Sequence, residues 1–267
     1  MKILWILILS TILSYSNLVK ADNQSLTLGI FPYVSTSKLI AHNNTVVKHI
    51  NETTNYDLSL VTAKDASTYL SNLKNYEYDL IFSAPHIARF VEKNFGYQRV
   101  VMTTHTIRGV YLVKKDSPIH SFNDLKGKKI SMADEQTILH QIAISELIDH
   151  GIIPDKDIQI KTVNTHNNAI YDVLKDESDA AITGFKIWKN LPADKKKQLR
   201  QLALSKATTG FIVLAKPDIN KEMIKNIQNS FLSFNGSSDG KPYIFRNFRL
   251  IRNSDMESLD FYAKVFE

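Results

Sequence analysis

The 267-residue chain contains no cysteine. This excludes disulfide bonds and cysteine nucleophiles, and we expect no lipoprotein anchor, since that anchor is attached to a cysteine. An exported protein could use disulfides to stabilise its fold, so this one has to rely on packing alone. A chain of this length can do so, because larger domains bury a greater fraction of their surface.

Common signatures of catalysis and of metal binding are also missing. The sequence has no Gly-x-x-x-x-Gly-Lys phosphate loop and no Gly-x-Gly-x-x-Gly motif. The pattern Gly-x-Ser-x-Gly occurs at residues 236–240, but there it forms a flexible loop after a predicted helix and is not a strand–turn–helix nucleophile elbow. Eight histidines are present, but none are spaced as His-x-x-x-His on one helical turn. We therefore predict no catalytic residues, no cofactor and no metal site.

Only one hydrophobic run is long, and it lies at the start of the chain. Lys2 precedes the apolar stretch 3–13, and small side chains at Val19 and Ala21 offer a cleavage site. This pattern predicts a signal peptide over residues 1–21, followed by a mature chain beginning near Asp22. The run is short for a membrane span, although an uncleaved N-terminal anchor is the alternative. We expect a soluble periplasmic protein.

The charge is mildly positive and spread along the chain. The formal net charge is +6, and the only tight basic run is Lys195-Lys196-Lys197. A single triplet of this kind is typical of a solvated helix face, so we predict no nucleic-acid partner. The positive balance is compatible with an anionic ligand.

A strand–helix–strand pattern occurs twice, with the second copy one hundred positions after the first. The copies span residues 57–84 and 157–184, and each ends in an Asp, a short apolar run and small residues. The matched pairs are Leu58 with Ile158, Leu60 with Ile160, Leu70 with Ile170, Leu73 with Val173, and Asp79 with Asp179. Alternating and then helix-spaced apolar residues in this order indicate a parallel β-α-β unit, which any α/β protein can repeat. Two such units predict two similar lobes with a cleft between them.

The segments around the second unit indicate where the chain passes between the lobes. Extended segments near residues 99–113 predict one crossing, and those at 202–204 and 211–215, which flank residues 205–210, predict a return crossing. Together the two crossings make a hinge. We therefore assign residues 22–105 to lobe 1, 106–205 to lobe 2, and 206–267 to the return into lobe 1 with a C-terminal helical segment. The predicted class is α/β, each lobe having a mixed, mostly parallel sheet flanked by helices. The aromatic residues of the last stretch are expected to pack onto lobe 1: Phe245, Phe248, Phe261, Tyr262 and Phe266.

Polar side chains recur where predicted strands end. In open α/β sheets ligands bind at the carboxyl ends of strands, where helix N-termini present free N–H groups. The candidate ligand-binding residues at these ends are Tyr33, Ser83, His86, Thr137, His166 and Thr183. A single Ser or Thr at such a position is often only a helix cap, so the recurrence at several strand ends carries the prediction. Hydroxyl and imidazole groups suit a small oxyanion or a polar zwitterion.

Five stretches together resemble a known family. They are Leu26-Thr-Leu-Gly-Ile-Phe-Pro-Tyr33, Tyr78-Asp-Leu-Ile-Phe-Ser-Ala-Pro-His86, Asp124-Leu-Lys-Gly-Lys-Lys-Ile130, Thr165-His-Asn-Asn-Ala-Ile170 and Asp179-Ala-Ala181. In this order and spacing they are similar to the phosphate/phosphite/phosphonate-binding proteins of ABC transporters, the PhnD-like family. The resemblance covers nearly all of the predicted mature chain, and it implies a two-lobed type II periplasmic-binding fold.

The resemblance also implies roles for individual residues. In the family, an aromatic after the first strand, small residues after the third strand and a histidine in lobe 2 line the cleft. Those roles correspond to Tyr33, to Ser83 with His86, and to His166. One departure concerns the family's Ser-Thr-Ser-Gly run, which here reads Asp134-Glu-Gln-Thr-Ile-Leu-His140. Only Thr137 offers a comparable hydroxyl there, and the nearby Glu135 would repel a dianion at close range.

The favoured function is a periplasmic solute-binding protein that captures a small, anionic, phosphate- or phosphonate-like ligand by hinge closure for an ABC permease. The alternative with the same fold is a sensory partner that presents its ligand to a membrane histidine kinase. A third hypothesis is a hydrolase or transferase on this fold, with Asp134, Glu135 and His140 as the candidate groups for hydrolysis.

Overall fold

The computed structural model describes residues 24–240, 243–245 and 247–267. The predicted signal peptide, residues 1–21, lies outside them. The strands are β1 (Gln24–Ile30), β2 (Tyr56–Thr62), β3 (Leu80–Ser83), β4 (Gln98–Thr103), β5 (Thr106–Lys114), β6 (Lys129–Ala133), β7 (Gln159–Val163), β8 (Ala180–Gly184), β9 (Leu199–Thr209), β10 (Ile212–Ala215) and β11 (Phe248–Arg249). The helices are α1 (Thr36–Thr53), α2 (Ala66–Lys74), α3 (Pro85–Phe95), α4 (Ile138–Asp149), α5 (His166–Leu174), α6 (Phe185–Lys189), α7 (Ala193–Lys196), α8 (Lys221–Phe234), α9 (Asn253–Glu257) and α10 (Asp260–Ala263).

Two mixed sheets organise the molecule. Sheet 1 has the strand order β11-β4-β10-β3-β1-β2, and sheet 2 has the order β7-β6-β8-β5-β9. In each sheet one central strand pairs in parallel with two neighbours: β1 with β2 and β3, and β6 with β7 and β8. The remaining pairs of strands are antiparallel. The predicted α/β fold with two mixed, helix-flanked sheets is confirmed.

The repeated units of the sequence form the same substructure in the two lobes. Asp79 Oδ2 accepts hydrogen bonds from the Thr27 backbone N–H at 2.8 Å and from the Thr27 hydroxyl at 2.9 Å. Asp179 Oδ2 accepts from the Lys129 backbone N–H at 2.9 Å. In both lobes, therefore, the repeated Asp joins the start of its own strand to the central strand beside it.

The backbone repeats as well, at the turn that follows the helix of each unit. Tyr76 and Asp176 both adopt the left-handed conformation, with φ values of 56° and 60°. These residues again lie one hundred positions apart. A non-glycine residue in this region is uncommon, so the shared conformation supports a real structural duplication.

The chain crosses between the sheets twice, at neighbouring points. It leaves sheet 1 after β4 and enters sheet 2 at Thr106, and it returns between Thr209 and Ile212. Thr106 is paired with Thr209 across β5 and β9. The domain boundaries at residues 105 and 205 stay predictions: residue 105 lies between β4 and β5, and residue 205 lies within β9.

Hydrophobic side chains cover both faces of each sheet. In lobe 1, one face of sheet 1 packs against α1 and α8, and the other packs against α2, α3 and the C-terminal segment. Lobe 2 likewise has two clusters, containing residues of α4 and α5. Of the C-terminal aromatics, Phe245 and Phe248 are buried in lobe 1 as expected, whereas Phe261 is 41% exposed. Phe266 is half-buried against α3.

Two kinds of feature are absent from the described residues. No helix among them is long and apolar enough to cross a membrane. No cluster of three or more His, Cys, Asp or Glu side chains in the described ranges has the arrangement of a metal site.

Candidate functional site

A cleft of about 560 Å³ separates the lobes, and side chains of both lobes line it. Lobe 1 contributes the segment after β1, the starts of α2 and α3, and the residue that precedes β10. Lobe 2 contributes the loops after β6 and β7 and the starts of α4, α5 and α6. The cleft therefore lies at the carboxyl ends of the parallel strands, as the sequence predicted.

The lobe 1 wall is aromatic. Pro32 follows β1, and the Tyr33 backbone N–H donates to the Phe31 carbonyl at 2.8 Å, so the chain turns sharply and brings Tyr33 to the cleft. The Tyr33 ring lies 5.0 Å from the ring of Phe211. Its hydroxyl is 3.3 Å from Nδ1 of His42. Burial raises the pKa of Tyr33 to about 12, so its phenol stays neutral and can donate a hydrogen bond.

His86 connects the two lobes. Pro85 occupies the first turn of α3, and His86 follows it with only 1% of its surface exposed. Its Nε2 donates to the Gln136 carbonyl of lobe 2 at 2.9 Å. Nδ1 of the same ring is buried and has no hydrogen-bond partner among the described residues. Burial lowers the pKa of His86 to about 4, so the ring is neutral at physiological pH.

His166 begins α5 on the lobe 2 side of the cleft. Thr165 precedes it as the N-cap, with its Oγ1 accepting from the Asn168 N–H at 3.1 Å. The Thr183 hydroxyl donates to the His166 carbonyl at 3.1 Å and so fixes the start of the helix. Burial lowers the pKa of His166 to about 4, and its Nδ1 also has no partner in the described part of the chain.

Thr137 is the N-cap of α4 and lines the cleft. Its hydroxyl donates to the Asp134 carbonyl at 2.8 Å and accepts from the His140 N–H at 3.4 Å. The helix-capping role is therefore real, but it does not remove the side chain from the cleft wall. Glu135 is exposed and is not among the described residues that line the cleft, whereas Asp134 is.

The structure brings four of the six candidate residues together. Tyr33, His86, Thr137 and His166 all line the cleft. Ser83 and Thr183 are fully buried and lie outside its lining. Ser83 is the last residue of β3 in sheet 1, and Thr183 is the second-last residue of β8 in sheet 2, so both lie in the strands behind the cleft wall.

Several cleft residues were missed because they are apolar. They are Phe31, Ile107, Ile138, Leu139, Ile187 and Phe211. Phe211 follows Gly210 at the return crossing, and this position beside the hinge was the one sequence signal that could have identified it. The polar lining residues outside the six candidates are Asp134, Gln136 and Asn164 in loops after strands, the N-cap residue Thr165, and Asn167 in the first turn of α5.

Positive charges from both lobes lie near the cleft. The pKa of His42 is lowered, first by burial and then by the charges of Lys186 in lobe 2 and Lys38 in lobe 1. His42 contacts the cleft residue Tyr33, and Lys186 precedes the cleft residue Ile187. Like charges on facing lobes repel, and an anion between them would reduce that repulsion.

Comparison with known proteins relates this architecture to ligand-binding components of transporters. A sequence model of the family described as "ABC transporter, phosphonate, periplasmic substrate-binding protein" matches residues 28–254. Among solved structures, PhnD1 from Prochlorococcus marinus in complex with methylphosphonate superposes with a TM-score of 0.75 at 12% identity, covering 91% of this chain and 98% of that chain.

Two further structures show the same fold. A Xanthomonas citri protein bound to ATP has a TM-score of 0.74 at 17% identity, covering 90% of this chain and 96% of that one. The periplasmic aliphatic sulphonate binding protein SsuA from Escherichia coli has a TM-score of 0.64 at 19% identity, with coverages of 91% and 79%.

Proposed function

Because the chain belongs to the family of periplasmic substrate-binding proteins of phosphonate ABC transporters, we propose that it captures a phosphonate-like oxyanion by closing its two lobes and delivers it to a permease. The observation that carries this proposal is the cleft itself, which is lined from both lobes and bridged by the bond from His86 to the Gln136 carbonyl. A ligand that contacts both walls favours the closed arrangement by its differential affinity for it.

The proposed contacts are Tyr33, His86, Thr137 and His166. Each lines the cleft and carries a group that can hydrogen-bond to an oxyanion. Ser83 and Thr183 support this wall from behind in the proposal, Thr183 through its bond to the His166 carbonyl. The positive charges of Lys38 and Lys186 would attract an anion toward the cleft.

The ligand class is supported by the relatives. The Prochlorococcus marinus structure holds methylphosphonate, and the Escherichia coli protein is a sulphonate binder. The apolar wall around Phe31 and Phe211 suits an organic substituent on the oxyanion. The proposal includes removal of residues 1–21 as a signal peptide and binding without turnover of the ligand. The family description names a transporter, so no observation favours the histidine-kinase alternative.

A binding screen tests the proposal. Thermal unfolding should be measured with phosphate, phosphite, alkylphosphonates, alkanesulfonates and small zwitterions. A ligand at one hundred times its dissociation constant should add about 2.7 kcal/mol to the free energy of unfolding. X-ray scattering should then show a smaller radius of gyration with that ligand. If no oxyanion in the screen stabilises the protein, the proposal is wrong.

A paired substitution tests the site. Tyr33→Phe removes the phenolic donor while keeping the ring that packs on Phe211, so affinity for the bound oxyanion should fall about tenfold. Tyr76→Phe is the matched control, since this exposed tyrosine lies away from the cleft. Isothermal titration calorimetry measures the affinity of both variants for the oxyanion. Equal affinities for the two variants would contradict the proposed contact.

A further inference from the structure

A hydrogen bond within the protein fixes the tautomer of the His86 ring. Its Nε2 lies 2.9 Å from the Gln136 carbonyl oxygen. A carbonyl oxygen can only accept, so Nε2 has to carry the hydrogen. A neutral imidazole has one N–H, and the other ring nitrogen, Nδ1, is then an acceptor with a free lone pair.

The surroundings of the ring keep it neutral. Two effects act on its pKa: burial lowers it to about 4, and the bond to the Gln136 carbonyl opposes that shift. The nearest cation on the same helix, Arg89, is paired with Glu92 and Asp260. On the C-terminal side the ring packs against Phe266, with centroids 5.3 Å apart. Nδ1 is thus a buried acceptor in a cleft-lining side chain, with no partner among the described residues.

We infer that Nδ1 of His86 accepts a hydrogen bond from the ligand, and that the site therefore selects oxyanions that carry a proton, such as a hydrogen phosphonate, over sulfonates. This inference rests on the proposed function. A sulfonate has a similar shape and the same charge as a hydrogen phosphonate, but it has no O–H. Its oxygen would face the lone pair of Nδ1 and leave a buried acceptor unpaired, which is strongly unfavourable.

His166 provides the contrast within the same cleft. Its Nδ1 is also buried without a partner, but no hydrogen bond to its ring from the described residues selects a tautomer. The His166 ring can therefore donate or accept, depending on the ligand. His86 discriminates between donor and acceptor ligands, whereas His166 adapts to either.

Isosteric ligand pairs test the inference. Calorimetry at about pH 5.5 compares each alkylphosphonate with the alkanesulfonate of the same chain length, from methyl to butyl. At this pH the phosphonate keeps one proton, since even phosphate esters lose theirs only near about pH 6. Both ligands then carry one negative charge. The natural protein should bind the hydrogen phosphonate at least about tenfold more tightly than its sulfonate partner.

Three matched substitutions assign the preference to one ring. His86→Phe keeps a ring against Phe266 but removes Nδ1, and the ratio of the two affinities should fall to about one. His166→Phe should lower the affinity for both ligands, while the ratio of the two affinities stays as in the natural protein. His150→Phe is the control: His150 lies outside the cleft and stacks on Phe122 with ring centroids 4.0 Å apart. This substitution should change neither affinity.

Nitrogen-15 NMR of the natural protein gives a readout that does not depend on a variant folding. The His86 ring should show a protonated Nε2 and an unprotonated Nδ1, whose shift changes when hydrogen phosphonate binds. A protonated Nδ1 in the complex, or a preference that survives His86→Phe, overturns the inference. Equal binding of both ligand types overturns it while the proposed function stands. Binding of neither type overturns the proposed function, and the inference with it.

Discussion

At the scale of single residues, Asp255 holds the C-terminal segment in place. Its carboxylate accepts a bidentate pair of hydrogen bonds from the Arg249 guanidinium, at 2.7 and 2.8 Å. It also accepts from the Arg252 backbone N–H at 2.8 Å. These donors, with Arg249 contributing most, hold the pKa of Asp255 well below its usual range. Because its side chain is only 6% exposed, this carboxylate depends on its partners for solvation.

Asp255→Asn should therefore destabilise the protein by about 2 kcal/mol at neutral pH, since a neutral amide has only one oxygen and cannot accept both hydrogen bonds of the Arg249 guanidinium. The native pKa is depressed, so the stabilisation is present above the unfolded pKa of about 4 and is lost as pH falls through the native value. Urea unfolding from neutral to acidic pH measures the difference between variant and parent. That difference should shrink as the pH is lowered.

Glu257→Gln is the control for this residue. Glu257 is exposed on the same helix and forms no ion pair with the described residues. The substitution should change stability by less than about 0.5 kcal/mol at any pH tested. An Asp255→Asn protein as stable as this control would contradict the role assigned to Asp255.

At the scale of elements, the return crossing depends on Gly210. A Cβ atom added there would lie 2.4 Å from the His105 ring and from the Thr103 hydroxyl oxygen. His105 cannot move aside easily, because its ring packs against Phe245 with centroids 4.8 Å apart. The close approach of the β4–β5 and β9–β10 crossings therefore requires glycine at this position.

Gly210→Ala should cost about 1–3 kcal/mol in the free energy of unfolding, as expected for overpacking at a site that cannot relax. Thermal and urea unfolding measure the loss. Gly236→Ala serves as the matched control, because the nearest atom to its added Cβ is 3.8 Å away. A Gly210 variant that unfolds at the same urea concentration as the Gly236 variant would show that the crossings can separate.

The elements that the sequence predicted well are those with strong apolar periodicity. Both repeated units form as predicted, as β2–α2–β3 and β7–α5–β8, and the C-terminal helical segment contains α8. Strand β9 was underestimated at its C-terminal end. Its segment 205–209 is mostly polar and lies at an edge of sheet 2, so it shows little hydrophobic alternation. Pairing with β5 extends it, and that is a tertiary effect.

The cleft was predicted only in its polar part. Tyr33, His86 and His166 could be found because polar residues after buried strands are unusual without a reason. Phe211 and Ile107 could not, since an apolar residue facing a cleft has the same sequence signature as one facing the core. Whether a side chain lines a cavity depends on how distant segments of the chain pack together. The residues next to it in the sequence carry no information on that packing.

At the scale of the whole molecule, the C-terminal segment contacts both lobes. Asp260 of α10 pairs with Arg89 of α3 in lobe 1, with Nε and Oδ1 2.7 Å apart. The Tyr262 ring packs against Ile138 and Ile142 of α4 in lobe 2. Burial raises the pKa of Tyr262, as expected for a phenol at such a contact. The end of the chain therefore stabilises one relative position of the lobes.

Tyr262→Ala should weaken ligand binding without changing a cleft side chain. Loss of about 1 kcal/mol of interlobe burial corresponds to about a fivefold higher dissociation constant. Calorimetry measures the affinity, and X-ray scattering should show a larger radius of gyration for the free variant. Phe261→Ala is the control, because Phe261 is adjacent to Tyr262 in the chain and is itself 41% exposed. Unchanged affinity and shape for Tyr262→Ala would exclude this role.

The paired crossings have a consequence for how this chain can be divided. Met102 of β4 is paired with Ile212 of β10 in sheet 1, and Thr106 with Thr209 in sheet 2. Lobe 2 is therefore a continuous insertion whose two ends lie side by side. If lobe 2 were deleted, a short turn could join the two neighbouring ends that remain in lobe 1, since closing a short loop costs little entropy. The same arrangement would allow lobe 2 of a related binding protein to be inserted at this point. The resulting protein would combine the ligand contacts of this lobe 1 with those of the other protein's lobe 2.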